Sequence, residues 1–347
     1  MDSVVAIIID VFVILMVVVL GLSVAVLMHR YVAQRRQLSR TRRLDELSRE
    51  YLLFLVAEGA TPMKWSDHAV RLPKYLLKEF LVRVARQIKG DMQVVVRSHY
   101  ESLGYLEQDL LLLRSRFKSR RIKAMARLEV MATDKCLPGL IHALRTDRLV
   151  MLRVRVAQTL YRLGYKEYEE FVRLLTLESR VMMLVLAETL IHIGGAVVPY
   201  LTKFVEDYPA SPNAGLAVRI IGEIGASSAV PCLMQFIESE KSEVRINAVR
   251  ALTQCEGRDA TDSLASRLTD PHPVVRMMAV RALATLGAMQ YEQDIVARLT
   301  DGDSRVSKEA AMALQQFGWT GENLPVSQQW WFTFASRHRS LPVEELP

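Results

Sequence analysis

Aliphatic residues in the second half of the chain recur at a nearly constant interval of 30 or 31 residues. The column that they form consists of Leu160, Leu190, Ile221, Leu252, Leu283 and Leu314. Glycine follows this column by four residues in five of its six copies, and alanine precedes it by four in the last four copies. Each period holds two apolar helical segments that are too short to bury their apolar faces alone, so each must stack on its neighbours. The pattern therefore predicts an all-α solenoid of about six to seven repeats.

Residues at the ends of the predicted helices agree with this period. The glycines suit a left-handed C-cap after the second helix, and Pro138, Pro199 and Pro231 suit the start of the first. An acid also recurs between the paired helices, at Asp147, Glu178, Asp207, Glu240, Asp270 and Asp301. We expect these acids to cap the following helix, whose positive end favours negative charge. One period before Leu160, we expect Val130 to continue the aliphatic column, with Ala126 as its small residue.

This combination of period, glycine stops and small residues resembles HEAT-repeat proteins, in particular the short bacterial kind called lyase-type HEAT-like repeats. The resemblance covers roughly residues 118–318, and it implies an α-solenoid in which the second helix of each unit lines the concave face. Three segments flank this array: an apolar N-terminal run at 4–28, a basic helical connector with an atypical first repeat at 29–117, and a tail at 319–347.

The run at 4–28 is apolar on every side apart from Asp10 and a few small polar residues. At ~1.5 Å per residue, a helix of this length spans the ~30 Å hydrocarbon core of a bilayer. No arginine precedes the run, and seven follow it closely, at Arg30, Arg35, Arg36, Arg40, Arg42, Arg43 and Arg49. The positive-inside rule then predicts an uncleaved single-pass anchor in a bacterial inner membrane, with the N-terminus outside and the bulk of the chain in the cytoplasm. A peripheral amphipathic helix is the alternative, and the uniformly apolar surface argues against it.

Two further features bear on how the chain meets a membrane. Asp10 is placed near the outer end of the run, where it either reaches the interface or pairs with a partner helix. Residues 29–127 hold 22 Lys and Arg against 10 Asp and Glu, whereas residues 128–347 hold 23 against 26. We expect the basic half to lie against anionic lipid headgroups, and an ordinary solvated face is the alternative. The arginines predicted at that surface are Arg35, Arg36, Arg42, Arg43, Arg116, Arg120 and Arg121.

The tail at 319–347 contains Trp319, Trp330 and Trp331, which are three of the four tryptophans in the chain. The open end of a solenoid exposes apolar surface that must be covered, so the tail is predicted to cap the array. Tryptophan clusters are also frequent binding hot spots, so Trp330 and Trp331 are alternatively a partner anchor.

The sequence does not contain the motifs of enzymes that share this repeat type. HEAT-like hydroxylases use His-Glu dipeptides, and none of the seven histidines is followed by glutamate. No Cys-x-x-Cys or His-Glu-x-x-His spacing indicates a zinc site, and no Gly-rich phosphate loop is present. The three cysteines suit a reducing compartment. We therefore predict no catalytic residue, no metal and no cofactor.

One polar column stands out within the repeats. Arg219, Arg250 and Arg281 each precede the aliphatic column by two residues, on three consecutive repeats. Stacked helices lie ~8–10 Å apart, so these arginines are predicted to form a basic ladder on the concave face that binds an acidic partner. Pairing of each arginine with a nearby acid, such as Glu223 or Glu256, is the alternative.

Together these features predict a non-enzymatic scaffold or adaptor that holds a protein partner at the membrane. Bacterial HEAT-repeat proteins with such an anchor resemble accessory subunits of membrane glycosyltransferases and polysaccharide-export complexes, which suggests the class of partner. A lyase-type HEAT-like enzyme and a nucleic-acid-binding solenoid are the alternatives. The array is slightly acidic, whereas HEAT-like DNA glycosylases use a basic groove, so nucleic acid is not the expected partner.

The predicted topology is tested by labelling cysteines introduced on either side of the apolar run. We expect Ser3→Cys to react with a membrane-impermeant maleimide in intact cells and Asp45→Cys to stay unlabelled, because the arginines hold residue 45 in the cytoplasm. Permeabilised cells, in which both sites react, are the control. The reverse labelling pattern would overturn the orientation.

Overall fold

Helices form all the regular structure in the part of the chain that the computed structural model describes. This part comprises residues 16, 19–32, 34–35, 45, 51, 74–177, 179–255, 258–320, 322, 329–330 and 332–333. The chain divides into two units, Met1–Gly139 and Leu140–Pro347. This boundary lies C-terminal to the start of the array that we predict at residue 118.

The first unit contains five described helices. They are α1 (Val19–Val32), α2 (Lys74–Gln87), α3 (Asp91–Ser102), α4 (Tyr105–Leu113) and α5 (Lys118–Met131). Helix α2 packs on α3 and α5, and α4 packs on α5. Leu81, Val96, Leu106 and Met125 are almost fully buried among the last four helices, so these helices share one core.

One carboxylate ties α2, α3, α4 and α5 together. Asp109 on α4 is fully buried and accepts hydrogen bonds from Lys78 Nζ at 2.8 Å, from Tyr100 Oη at 2.5 Å and from Arg127 Nη2 at 2.5 Å. Burial raises the pKa of the Tyr100 hydroxyl, and the negative charge of Asp109 raises it further. Burial also lowers the pKa of the Lys78 ammonium, although Asp109 opposes that shift. Each of the four helices therefore contributes one polar group to a single buried cluster.

The second unit repeats a pair of helices, and the second member of each pair stacks on the next. Helix α6 (Leu137–Thr146) crosses the boundary between the units. The first helices that follow are α8 (Tyr168–Val172), α10 (Val198–Asp207), α12 (Val230–Phe236), α14 (Thr261–Ser266) and α16 (Glu292–Val296). The second helices are α7 (Val150–Arg162), α9 (Arg180–Ile193), α11 (Ala214–Ile224), α13 (Ser242–Gln254), α15 (Pro273–Leu286) and α17 (Ser304–Gln316). From α7 to α17, each second helix packs on the next one in the series, as the period predicts.

The aliphatic column lies at the centre of this stack. All six of its members are fully buried, from Leu160 to Leu314, as predicted. The second helices end where the glycines indicate; Gly225 and Gly287, for example, adopt left-handed C-cap conformations with φ of 68°. The repeat register proposed from the sequence is therefore confirmed in the second unit.

The register predicted for α5 is wrong by two residues. Ala126 and Val130 are partly exposed, whereas Ala124 and Leu128 are fully buried. Residues four apart share one face of a helix, so Ala124 and Leu128 take the places that we assigned to Ala126 and Val130. This rotation of the helix also directs Arg127 to the buried carboxylate of Asp109.

The acids before α15 and α17 do not act as the predicted helix caps. Helices α15 and α17 begin after His272 and Asp303, two residues beyond Asp270 and Asp301. The Asp270 carboxylate is fully buried and accepts hydrogen bonds from Nε and Nη2 of Arg245, each at 2.8 Å. Arg245 belongs to the preceding repeat, so the acid holds neighbouring repeats together instead of capping a helix.

The same pair recurs one repeat later. Arg276 Nη2 and Nε lie 2.6 and 2.8 Å from the two carboxylate oxygens of Asp301. Burial favours the neutral acids, but the hydrogen bonds from Arg245 and Arg276 outweigh it and hold the pKa values of Asp270 and Asp301 below their usual range. Each carboxylate also accepts a hydrogen bond from the backbone N–H two residues later. The pair is thus a repeating contact between successive units.

Among the described residues, one stretch, Val181–Asp207, is long and apolar enough to cross a bilayer. It comprises α9 and α10. The chain breaks between these two helices at Gly194, whose backbone φ is 76°. Leu190, Leu201 and Phe204 of this stretch are buried in the repeat core. Burial of this kind is what the core of a helical repeat requires, so the stretch is weak evidence for a membrane span.

The predicted anchor at 4–28 is described only at Met16 and residues 19–28, which belong to the apolar helix α1. Its side chains are exposed; Leu20 and Leu27, for example, are each 63% exposed. The rest of the predicted anchor, including Asp10, lies outside the described residues. A membrane span at this position therefore remains a prediction.

The pairs between repeats predict a specific response to acid. Because the folded-state pKa values of Asp270 and Asp301 are lowered, the stability that they contribute is complete above their unfolded-state pKa of about 3.9 and is lost as the pH falls through the folded-state values. Removing one partner of a buried pair costs about 3–5 kcal/mol. Asp270→Ala should therefore unfold at lower temperature at neutral pH and lose less stability on acidification than the unaltered chain.

Thermal unfolding followed by circular dichroism from about pH 7 to about pH 2, a range that extends well below the unfolded-state carboxylate pKa values, measures both effects. Glu169→Ala is the control, because the Glu169–Arg173 pair is exposed on both sides and such pairs contribute only about 0–1 kcal/mol. Equal losses in the two variants at neutral pH would contradict a stabilising contact between repeats.

Candidate interaction groove

The three arginines singled out from the sequence lie at equivalent positions on successive second helices. Arg219 is on α11, Arg250 on α13 and Arg281 on α15. These helices pack on one another in that order. All three guanidinium groups reach solvent to some degree, and Arg250 and Arg281 are the more exposed. The repeat therefore places the three residues at equivalent positions on neighbouring helices, while their binding of an acidic partner stays a prediction.

An open groove with a volume of about 690 Å³ runs across α9, α11 and α13 and includes two of these arginines. Its lining consists of Ser179, Met183, Leu184, Pro212, Asn213, Leu216, Arg219, Glu243, Asn247 and Arg250. Arg281 is not part of it. Four apolar residues come from α9 and from the start of α11, whereas the charged residues come from α11 and α13. We call this feature the α9–α13 groove.

Glycines bring α11 and α13 unusually close together behind this groove. A Cβ at Gly222 would lie 2.6 Å from Cβ and 2.7 Å from Cα of Ala251. At Gly215, it would lie 2.8 Å from Cγ of Glu243, which is a flexible side chain. The two glycines are seven residues apart, so they lie on one face of α11. Close approach of the two helices therefore depends mainly on Gly222.

The charges in and near the groove differ in how far they are neutralised. Arg219 Nε lies 3.5 Å from Glu223, in the same helix, but makes no hydrogen bond among the described residues. Arg281 makes a bidentate pair with Glu309 at 2.8 and 2.7 Å, which raises the pKa of Arg281. Arg250 is exposed and has no acidic partner within the described part of the chain. Glu256, which we considered as its partner, lies outside the described residues.

The pairing of Arg219 with Glu223 agrees with the alternative that we considered for the arginine column. The pair of Arg281 with Glu309 was not predicted. The groove thus brings together Arg219 and Arg250, while Arg281 belongs to the contact between α15 and α17. Of the three arginines, Arg250 is the one most available to a ligand.

The apolar side of the groove was not predicted from the sequence. Leu184 is 51% exposed although it lies within the apolar run of α9, while Met183 beside it is buried. An apolar residue next to buried apolar residues carries no sequence signal that distinguishes surface from core. Only the position of α9 on α11 reveals that Leu184 faces solvent beside Leu216 and Pro212.

The aromatic tail is described at four of its later positions. Trp330 is 54% exposed, whereas Phe332 is buried and its carbonyl oxygen accepts a hydrogen bond from Gln315 Nε2 of α17. Trp319 Nε1 donates to Glu292 at 3.0 Å. Trp331 lies outside the described residues. These contacts place aromatic residues on the last repeat, and the choice between a cap and a partner anchor for Trp330 stays open.

Of the arginines predicted at the membrane surface, Arg35, Arg116, Arg120 and Arg121 are described, whereas Arg36, Arg42 and Arg43 are not. The guanidinium carbon of Arg35 lies 6.0 Å from the ring centroid of Tyr31. Arg121 donates to the carbonyl oxygens of Ser115 and Arg116. The described residues contain no group of three metal-ligating side chains, and their three cysteines are free thiols.

Comparison with known proteins defines the repeats of the second unit. Two overlapping segments, 198–276 and 261–326, match the family model of HEAT repeats. Residues 198–326 therefore contain HEAT repeats, and their stacked helical pairs form a helical solenoid. The sequence matches no curated protein.

Similar solved structures include three helical proteins of low identity. YibA of E. coli is 15% identical over 75% of this chain and 100% of its own, with a TM-score of 0.40. The complex of CpcE and CpcF of phycocyanin lyase from Nostoc sp. PCC7120 is 20% identical over 67% and 94%, with a TM-score of 0.33. An engineered protein is 20% identical over 78% and 80%, with a TM-score of 0.37.

The glycines behind the groove give a matched pair of substitutions. Alanine at either position gains the same helix propensity of about 1 kcal/mol, but only at Gly222 does the added methyl group meet backbone. We expect Gly222→Ala to be less stable than Gly215→Ala by about 1–3 kcal/mol, because overpacked contacts cost that much. Urea unfolding of both variants measures the difference, and equal midpoints would show that α11 and α13 separate without cost.

Proposed function

We propose that this chain is a non-enzymatic scaffold or adaptor, anchored in the cytoplasmic membrane by its N-terminal apolar run, that uses its HEAT repeats to bind a protein partner in the α9–α13 groove. The observation that carries the proposal is Arg250, an exposed cation without an acidic partner among the described residues, beside the exposed apolar side chain of Leu184. A site of this kind suits an amphipathic segment that presents an acid and an apolar residue.

Three features of the groove support binding over a purely structural role. The column of fully buried aliphatic residues already holds the stack, so Arg250 and Leu184 are not needed for it. Exposed arginines contribute little to stability. The groove lies across three successive second helices, whose spacing the stack fixes, and rigid positioning reduces the entropy lost on binding.

The partner class follows from the membrane anchor and the charge of the groove. If residues 4–28 span the membrane with the proposed orientation, the repeats are held at its cytoplasmic face. A partner that is itself a membrane protein then meets the groove at a high effective concentration. An accessory role beside a membrane glycosyltransferase or a polysaccharide-export complex fits this arrangement, with an acidic cytoplasmic segment of that partner in the groove.

Charge reversal at Arg250 tests the proposal. A like charge at an interface costs several kcal/mol, and each 1.4 kcal/mol corresponds to about a tenfold loss of affinity. We expect full-length Arg250→Glu, purified from detergent-solubilised membranes, to retain less than about a tenth of the partner recovered with the unaltered chain. The partner is identified by mass spectrometry of the unaltered complex and is then quantified in each variant.

Lys203→Glu is the matched control, because it makes the same charge change on α10, outside the groove lining. Equal expression and circular dichroism establish that both variants fold. Recovery of the partner with Arg250→Glu at the level of Lys203→Glu would exclude the groove as the binding site and transfer the proposal to Trp330.

A further inference from the structure

A short loop between α4 and α5 presents an aromatic ring and several cations to solvent. Phe117 is 45% exposed at the N-cap of α5. The guanidinium carbons of Arg116 and Arg120 lie 4.7 and 4.8 Å from the centroid of its ring. We call residues 114–121 the Phe117 loop. It belongs entirely to the first unit and is separate from the α9–α13 groove in sequence.

The charge of this segment is not balanced by acids. Residues 110–128 contain seven Lys and Arg and no Asp or Glu. Arg127 pairs with Asp109, and Arg121 holds the loop by donating to the carbonyl oxygens of Ser115 and Arg116. The remaining cations have no acidic partner among the described residues; they are Arg114, Arg116, Lys118, Arg120 and Lys123.

The exposed cations of this segment and the Phe117 ring do not stabilise the start of α5. The N-terminal turn of a helix carries a partial positive charge and favours acids, yet the first turn of α5 contains none and includes Lys118, Arg120 and Arg121. The N-cap residue, Phe117, provides no side-chain oxygen for the free backbone amides. An exposed phenyl ring at such a position gains nothing from the core. The unbalanced positive charge therefore favours contact with an anionic surface, and the exposed ring favours contact with a surface that is partly apolar.

We propose that the Phe117 loop contacts the anionic lipid surface of the membrane, with the Phe117 ring in the headgroup region and Arg116 and Arg120 beside lipid phosphates. Basic residues near a bilayer are attracted to acidic headgroups, and an aromatic side chain at this depth buries its apolar body. The long apolar stems of the arginines then lie along the ring while their charged ends reach phosphate oxygens.

The inference deepens the proposed function in one respect, since it rests on a membrane close to the first unit. A lipid surface fits the loop better than single-stranded nucleic acid. Nucleic-acid grooves stack successive bases on several aromatic residues, whereas Phe117 is the only aromatic residue in 110–128. Free phosphate fits the cations but leaves the exposed ring without a role.

The test places an environment-sensitive fluorescent amino acid at position 117 of the full chain, which is then reconstituted into vesicles. We compare vesicles of phosphatidylcholine with vesicles that also contain phosphatidylglycerol, each with brominated lipids as quenchers. The proposal predicts quenching at position 117 that requires phosphatidylglycerol and decreases at high salt. The same probe at Val94, which is 61% exposed on α3, is the control and should not be quenched in either lipid.

Neutralising the two arginines provides a second, independent measurement. Arg116→Gln with Arg120→Gln should abolish the phosphatidylglycerol-dependent quenching and raise the unfolding temperature, because repulsion at the start of α5 is relieved. A purely structural role for the arginines predicts a lower unfolding temperature instead. No quenching at position 117 in phosphatidylglycerol vesicles would overturn the proposal, as would a probe response to a single-stranded oligonucleotide or to inorganic phosphate that exceeds the response to vesicles.

Failure of this inference is distinguishable from failure of the proposed anchor. Flotation of the same vesicles at high salt and alkaline pH reports whether the apolar run holds the chain in the bilayer, whatever the probe shows. If the chain is released under those conditions, quenching at position 117 with phosphatidylglycerol vesicles at neutral pH still reports on the Phe117 loop. Partner recovery with Arg250→Glu does not depend on the response of the probe at position 117.

Discussion

In both units, a buried carboxylate is held by an arginine from a neighbouring helix, and the arrangement of the helices depends on these contacts. Asp270 is fully buried and accepts both donors of Arg245 from the preceding repeat; Asp109 does the same for Arg127 in the first unit. A buried pair contributes little net stability over apolar residues, but an unpaired partner is very unfavourable. The pairs therefore penalise any other alignment of neighbouring helices more than they stabilise this one.

This constraint complements the apolar column instead of replacing it. Leu252 and Leu283 are fully buried and supply the non-directional attraction between repeats. Aliphatic side chains alone would tolerate a shift of one helix along the next. The bidentate pair of Arg245 with Asp270 does not tolerate such a shift, because two donors of the guanidinium group must meet the two carboxylate oxygens. Attraction and alignment thus come from different residues of the same repeat.

The sequence was sufficient to predict the period, the column and the glycine stops, because each is a local pattern repeated in five or six copies. The pair of Arg245 with Asp270 was missed although the recurring acid at Asp270 was noted, since a contact across 25 residues depends on how two repeats pack. The register of α5 was missed for a related reason: Arg127 turns towards Asp109, and no repeat signal marks that partner. The exposed side chain of Leu184 was missed because composition does not separate surface from core within an apolar helix.

The column of Arg219, Arg250 and Arg281 shows how one position can serve either the stack or a partner. Arg281 meets Glu309, which stands 28 residues later on the next second helix. The residue at the same distance from Arg250 is Met278, and from Arg219 it is Asn247. Neither can neutralise a guanidinium group, so the charge of Arg250 stays exposed at the edge of the α9–α13 groove. A single side chain in the following repeat thus decides whether an arginine stabilises the array or remains available for binding.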